Sequence, residues 1–189
     1  MPLILGIDPS AKKIAIVGHE TFTNTHIVKS KILYPKGTTR QTPESLAIAQ
    51  TWLESVIVGI ESLAPEGQRF AYIETPLVGR GGISGTIKQA FVGGIIRACL
   101  SNHGFAVIDA HPSTWRSKLG IRVGKGSSTL DSKASARALV IATFPKAMLE
   151  IGSDADLVDA AAICAYGLRS FSTQPAGPAK RPVQRHRKP

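Results

Sequence analysis

Residues 3–10 read LILGIDPS, and the aspartate that closes this apolar run organises the layout of the whole chain. Leu3 to Ile7 has the continuous hydrophobicity of a buried strand. Asp8 stands at the strand's carboxyl end, a place for a turn residue or for a functional carboxylate.

Working outward, the turn PSAKK leads to a second strand at Ile14 to Val17, and HETFTNTHIVKSKILY supplies a third. Short turns make these three an antiparallel meander. TPESLAIAQTWLESVIVGIESLA then places Leu46, Ala49, Leu53, Val56, Ile57 and Ile60 at helical spacing behind Thr42 as N-cap. Phe70 to Ile73 is a short strand ended by Glu74, and the glycine-rich VGRGGISG leads to a helix from Thr86 to Asn102, stopped by Gly104. Phe105 to Ile108 makes a strand closed by Asp109. A loop around Pro112 and helices over Ser132 to Phe144 and Ala155 to Arg169 complete the order. Strands separated by such helices need parallel crossovers. The expected fold class is therefore α/β: a ribonuclease H-like mixed β-sheet, antiparallel meander plus parallel strands, with helices on both faces.

The chain has 189 residues, enough for one well-buried domain, expected over 1–171. Residues 172–189, STQPAGPAKRPVQRHRKP, are proline-rich and basic with little apolar surface, so a disordered basic tail is expected there. No apolar run approaches the roughly 20 residues of a membrane span, so no membrane partner is expected. A strand starting at Leu3 leaves no room for a leader, which places the expected site of action in the cytoplasm of a prokaryotic cell or a phage-infected host. Cys99 and Cys164 lie among apolar residues outside any CxxC pair and read as reduced core thiols. The formal charge is +10, and Lys180, Arg181, Arg185, Arg187 and Lys188 fall in the tail without an acid. Such a chain attracts polyanions, nucleic acid foremost.

On this basic protein the acids stand out. Asp8 and Glu74 each end an apolar strand, and Asp156 and Asp159 lie three apart at the start of the last helix, on one helix face. Singly, each has an ordinary explanation: a turn residue, or an acid favoured by the helix dipole, as Asp154 is too. Gathered in one crevice they would repel one another unless a cation neutralised them. Magnesium is the expected ion, since it takes hard oxygen ligands and, as a pair of ions, supports phosphodiester hydrolysis. Ala160, Ala161 and Ala162 after Asp159 would let the last helix lie close to the sheet.

LILGIDPS, AYIETP, SGTIKQAFVGGIIRACL and ADLVDAAAICAYG, taken in order, resemble the RuvC family of Holliday junction endonucleases. The resemblance runs from about Leu3 to Leu168. It implies that Asp8, Glu74, Asp156 and Asp159 are both the catalytic residues and the metal ligands, with two magnesium ions per site and manganese as a substitute. It further implies a homodimer that resolves four-way junctions in branched DNA by symmetric paired nicking, partly assembled through the glycine-bearing helix. On that helix Ile87, Phe91, Ile95 and Ala98 form one stripe, either a core face or a partner face. The loop TPLVGRGGISG departs from the bacterial resolvases, which carry an aromatic there, and offers Leu77, Val78 and Arg80. A phage-type or divergent member of the family fits that departure.

The candidate DNA-contacting residues are Arg80, Lys88, Arg116, Lys118, Lys125 and Lys133. Arg116, Lys118 and Lys125 belong to AHPSTWRSKLGIRVGKGSST, which has no acid, and Arg116 and Lys133 match the family's basic residues most closely. Trp115 reads as core rather than as a base-stacking platform. GIRVGKG and GRGGISG miss the spacings of nucleotide-binding loops. Rival readings are a less selective flap or fork nuclease, a non-catalytic DNA-binding module, and an actin-like ATPase, the last opposed by the chain's length.

Overall fold

A computed structural model describes residues 2–10, 12–33, 43–62, 67–76, 82–121 and 129–172. Thr42, Arg80, Lys125 and the tail beyond Ser172 lie outside the described residues. Among the described residues five strands form a single sheet: β1 (Leu3–Pro9), β2 (Lys13–Glu20), β3 (Thr25–Ile32), β4 (Arg69–Glu74) and β5 (Ala106–Ala110), in the order β3-β2-β1-β4-β5. β1–β2 and β2–β3 pair antiparallel, whereas β1–β4 and β4–β5 pair parallel. The mixed sheet is the expected one, and the strand carrying Asp8 is its centre.

Local chemistry sets the two tight turns. Ser10 closes the first, its hydroxyl accepting from the Lys12 and Lys13 amides at 3.2 and 2.9 Å. In the second, the Glu20 carboxylate accepts from the Phe22 and Thr23 amides at 2.9 and 2.6 Å, while Asn24 takes a left-handed φ of 54°. The parallel pairs require crossovers, and α1 (Pro43–Glu61) and α2 (Gly82–Asn102) supply them. Gly104, at φ 74°, ends α2 as expected.

Four more helices follow: α3 (Pro112–Lys118), α4 (Thr129–Thr143), α5 (Met148–Ile151) and α6 (Ala155–Ser172). α3 replaces the loop expected around Pro112, because proline is suited to the first helical turn, where its missing N–H costs nothing. α2 starts four residues earlier than Thr86, tertiary context overriding the weak helix preference of Gly82 and Gly85.

Strand alternation divides the core into two layers. Leu3, Leu5, Ile7, Ala71 and Ile73 pack against Leu53 and Ile57 of α1 and Val92 and Ile96 of α2. Ile4 and Tyr72 face the other way, into the layer formed with Trp115, Val140 and the alanines of α6. Both cysteines are free and buried, as the sequence suggests. Of the stripe Ile87, Phe91, Ile95 and Ala98 only Ile95 packs against the core: Ile87 is 50% and Phe91 59% exposed, and α2 turns Val92, Ile96, Cys99 and Leu100 inward instead. Among the described residues no helix is long and apolar enough to cross a membrane.

Candidate active site

α6 reaches the sheet because β1 has no side chain in its path. Gly6 lies on the same face as Ile4, and a Cβ there would fall on the Ala160 carbonyl and the Cys164 amide of α6. Ala160, Ala161 and Ala162 are fully buried at this crossing, and the Cys164 thiol donates to the Ile4 carbonyl at 3.3 Å. Two residues beyond Gly6 the same face presents Asp8. Ile7 is paired with Ile73, so Glu74 follows in register beside Asp8. α6 brings Asp159 over both strand ends.

Asp8 and Glu74 are 8% and 9% exposed, and their carboxyl groups are in hydrogen-bonding contact. Burial, then the charges of Glu74 and Asp159, pushes Asp8 well above the usual carboxylate range. Burial likewise raises Asp159 to about 6, against the opposing pull of Arg116. Arg116 of α3 stands 3.7 Å from Glu74 Oε1 and 3.7 Å from Asp159 Oδ2, its guanidinium over the Trp115 ring at 4.6 Å. Trp115 is fully buried, as expected of a core residue, and its indole N–H points at Glu74 Oε1 from 3.4 Å. It fixes the acid as well as filling the core.

Asp156 sits at the edge of this cluster. Lys13 of β2 lies 3.3 Å from Asp156 Oδ2 and forms a short ion pair with Asp154. Burial disfavours the Lys13 charge, but the two aspartates outweigh it and raise its pKa. Asp154 is also the N-cap of α6, accepting from the Asp156 and Leu157 amides at 3.1 and 3.3 Å. Sequence reasoning missed Lys13, which meets Asp154 across 141 positions of chain.

The basic candidates divide. Arg116 is inside the cluster, and exposed Lys133 of α4 is close enough for its charge to act on Asp159. Lys88 lies on α2 next to Gln89, whose amide donates to the Pro9 carbonyl at 2.9 Å, near the end of β1. Lys118 is not brought to the acids: its ammonium lies over the Tyr166 ring at 5.6 Å, two turns down α6 from Asp159. Asp109, another acid at a strand end, faces the opposite side of the sheet and pairs with Arg97 of α2 at 3.2 Å.

The donor set is carboxylate oxygen alone, which suits a hard divalent cation such as magnesium or manganese better than zinc or copper. As the side chains stand, no three of the described acids, histidines or cysteines converge on one metal position. Arg116 and Lys13 instead supply the positive charge around the acids.

No known family's sequence profile matches the chain, and no curated protein matches it. Solved structures do match. Thermus thermophilus RuvC in complex with a Holliday junction substrate superposes with a TM-score of 0.61 at 16% identity, over 89% of this chain and 96% of that one. The fold is that of RuvC. A further T. thermophilus RuvC structure gives 0.55 at 15% identity over the same shares. The yeast mitochondrial Holliday junction resolvase Ydc2 gives 0.56 at 15% identity, covering 89% of this chain and 80% of that one. The RuvC-like fold thus spans nearly the whole described chain, and its central strand carries Asp8.

Proposed function

We propose that this RuvC-like protein is a magnesium-dependent endonuclease that resolves Holliday junctions by paired symmetric nicking. The observation that carries the reading is that Asp8, Glu74 and Asp159, from two adjoining strand ends and the helix that Gly6 admits, stand near enough for their charges to act on one another. Buried acids held this closely favour a cation among them. Asp8, Glu74, Asp156 and Asp159 would hold magnesium, or manganese in its place, and the ion would supply the Lewis acidity that phosphodiester hydrolysis needs. Trp115 holds Glu74 in position, and Lys13 holds the first turn of α6. Arg116 and Lys133, whose charges act on Asp159, would bind the phosphate whose negative charge grows during cleavage.

Paired nicking needs two sites facing opposed strands, so a homodimer is part of the proposal. The outward stripe of α2 is its natural seat: Ile87, Phe91, Gly94, Ile95 and Ala98 line one shallow apolar depression. By its charge the basic tail would add phosphate contacts, and the cell's cytoplasm is the proposed place of action.

The deciding experiment compares cleavage of a labelled four-way junction, a flap and a linear duplex, with magnesium and with chelator, for wild type and Asp8→Asn. Paired nicks in the junction alone are expected, abolished by chelator. Asp8→Asn should lower the rate by more than about 100-fold, beyond what loss of a metal's outer-shell partner carries. Equal cutting of flap and junction would replace the resolvase with a branched-DNA nuclease. Tight binding without cutting, unchanged by Asp8→Asn, would leave a DNA-binding module.

A further inference from the structure

At the end of the β1–β2 ladder away from the carboxylates, His19 of β2 and His26 of β3 are direct cross-strand partners. Their rings stack with centroids 4.9 Å apart, and Nδ1 faces Nδ1 at 3.3 Å. Phe144, after the end of α4, packs against both, with centroids 5.7 Å from His19 and 5.4 Å from His26. Without a ligand, two neutral imidazoles so placed share one N–H···N hydrogen bond.

The same separation suits something else. Two nitrogens each about 2.0–2.1 Å from a tetrahedral zinc ion lie roughly 3.3 Å from one another. The distance between the two nitrogens therefore matches the bite of a chelate, and turning the stacked rings about their side-chain torsions would aim both nitrogens at one ion without moving either strand. Both histidines are half-buried rather than sealed, and His26 on the edge strand also borders a groove that reaches Glu150. Around the pair, the Glu20 and Glu150 charges favour a cation at His19 and His26 respectively, and Lys146 opposes it. Burial, followed by the partner ring at His19 and by Lys146 at His26, disfavours protonation of both, so a metal at neutral pH would need only the shared proton to move to the far nitrogen of its ring.

We propose that His19 and His26 form a two-nitrogen site for a borderline divalent transition ion of the zinc class, with water filling the other positions. The ion would clamp the β2–β3 hairpin beneath Phe144. Imidazole selects zinc, nickel and copper where carboxylate selects magnesium, so the two ends of the sheet would sort metals by ligand softness.

The test is zinc titration of the full chain by calorimetry in excess magnesium, which saturates oxygen-ligand sites, for wild type, His19→Ala and His26→Ala. One zinc per chain is expected in wild type, with affinity reduced at least 10-fold in either variant. Thermal melts should show a zinc-dependent rise in Tm for wild type only. Binding unchanged in both variants would overturn the site. Electron paramagnetic resonance of wild-type protein with one equivalent of copper(II) needs no substitution: hyperfine coupling to two nitrogens is expected, and coupling to one or none would overturn it.

Discussion

The two faces of the sheet are built on different rules. Toward α1 and α2, side chain meets side chain: Leu3, Leu5 and Ile7 interdigitate with Leu53, Ile57, Val92 and Ile96, and hydrocarbon fills the layer. Toward α6, backbone meets backbone at Gly6, and the space beyond the crossing holds charged groups in place of hydrocarbon. Side-chain packing sets spacing only to within a rotamer, whereas a backbone crossing fixes it. The face that must position reacting groups is the one governed by backbone contact.

The sharpest way to break this asymmetry is to add a methyl group on each side. Gly6→Ala drives a Cβ into the α6 main chain and should cost about 3 kcal/mol or more, at the upper end of overpacking effects. Gly18→Ala of β2, on the face toward α1, would bring a Cβ to 2.7 Å from Leu5 Cδ2, the far end of a side chain that can turn away, and should cost about 1 kcal/mol. Urea unfolding ranks the two variants, and equal losses would erase the distinction between the faces.

A second test uses Cys164, whose thiol burial pushes up to about 12. The unfolded thiol ionises near 9 and the folded one does not, so this contribution to stability is intact below pH 9 and is lost as pH rises above it. The wild-type-minus-Cys164→Ala difference in urea stability should shrink by about 1.4 kcal/mol per pH unit beyond that point. A difference independent of pH would mean that the thiol is not sealed beneath α6. Smaller again, Lys13→Ala should destabilise by about 1 kcal/mol, the size of a partly exposed ion pair, and 0.5 M salt should reduce the deficit. No change on substitution would show that Asp154 caps α6 without help.

What the sequence revealed follows from the same division. Asp8, Glu74 and Asp159 were legible because strand ends and an i, i+3 spacing are local patterns, and the three alanines announced a close crossing. Lys13 was not legible, since a lysine opening a strand looks solvated until the fold brings Asp154 and Asp156 to it. Which stripe of α2 is buried stayed open because Phe91 to Leu100 is apolar nearly all round, offering two similar faces. Lys118 and Arg116 share one acid-free segment, and only the direction of α3 sends Arg116 to the acids and Lys118 to Tyr166. Pro112 did carry a helix-start signal, which its flanking residues made easy to read as a loop.

Gly6 also determines how the site could be moved. The acids are portable only together with the empty position two residues before Asp8, because transplanting the carboxylates onto a strand with an ordinary side chain there would hold the incoming helix away from them. A designer copying this centre should therefore copy the hydrogen atom at Gly6 first and the four carboxylates afterwards.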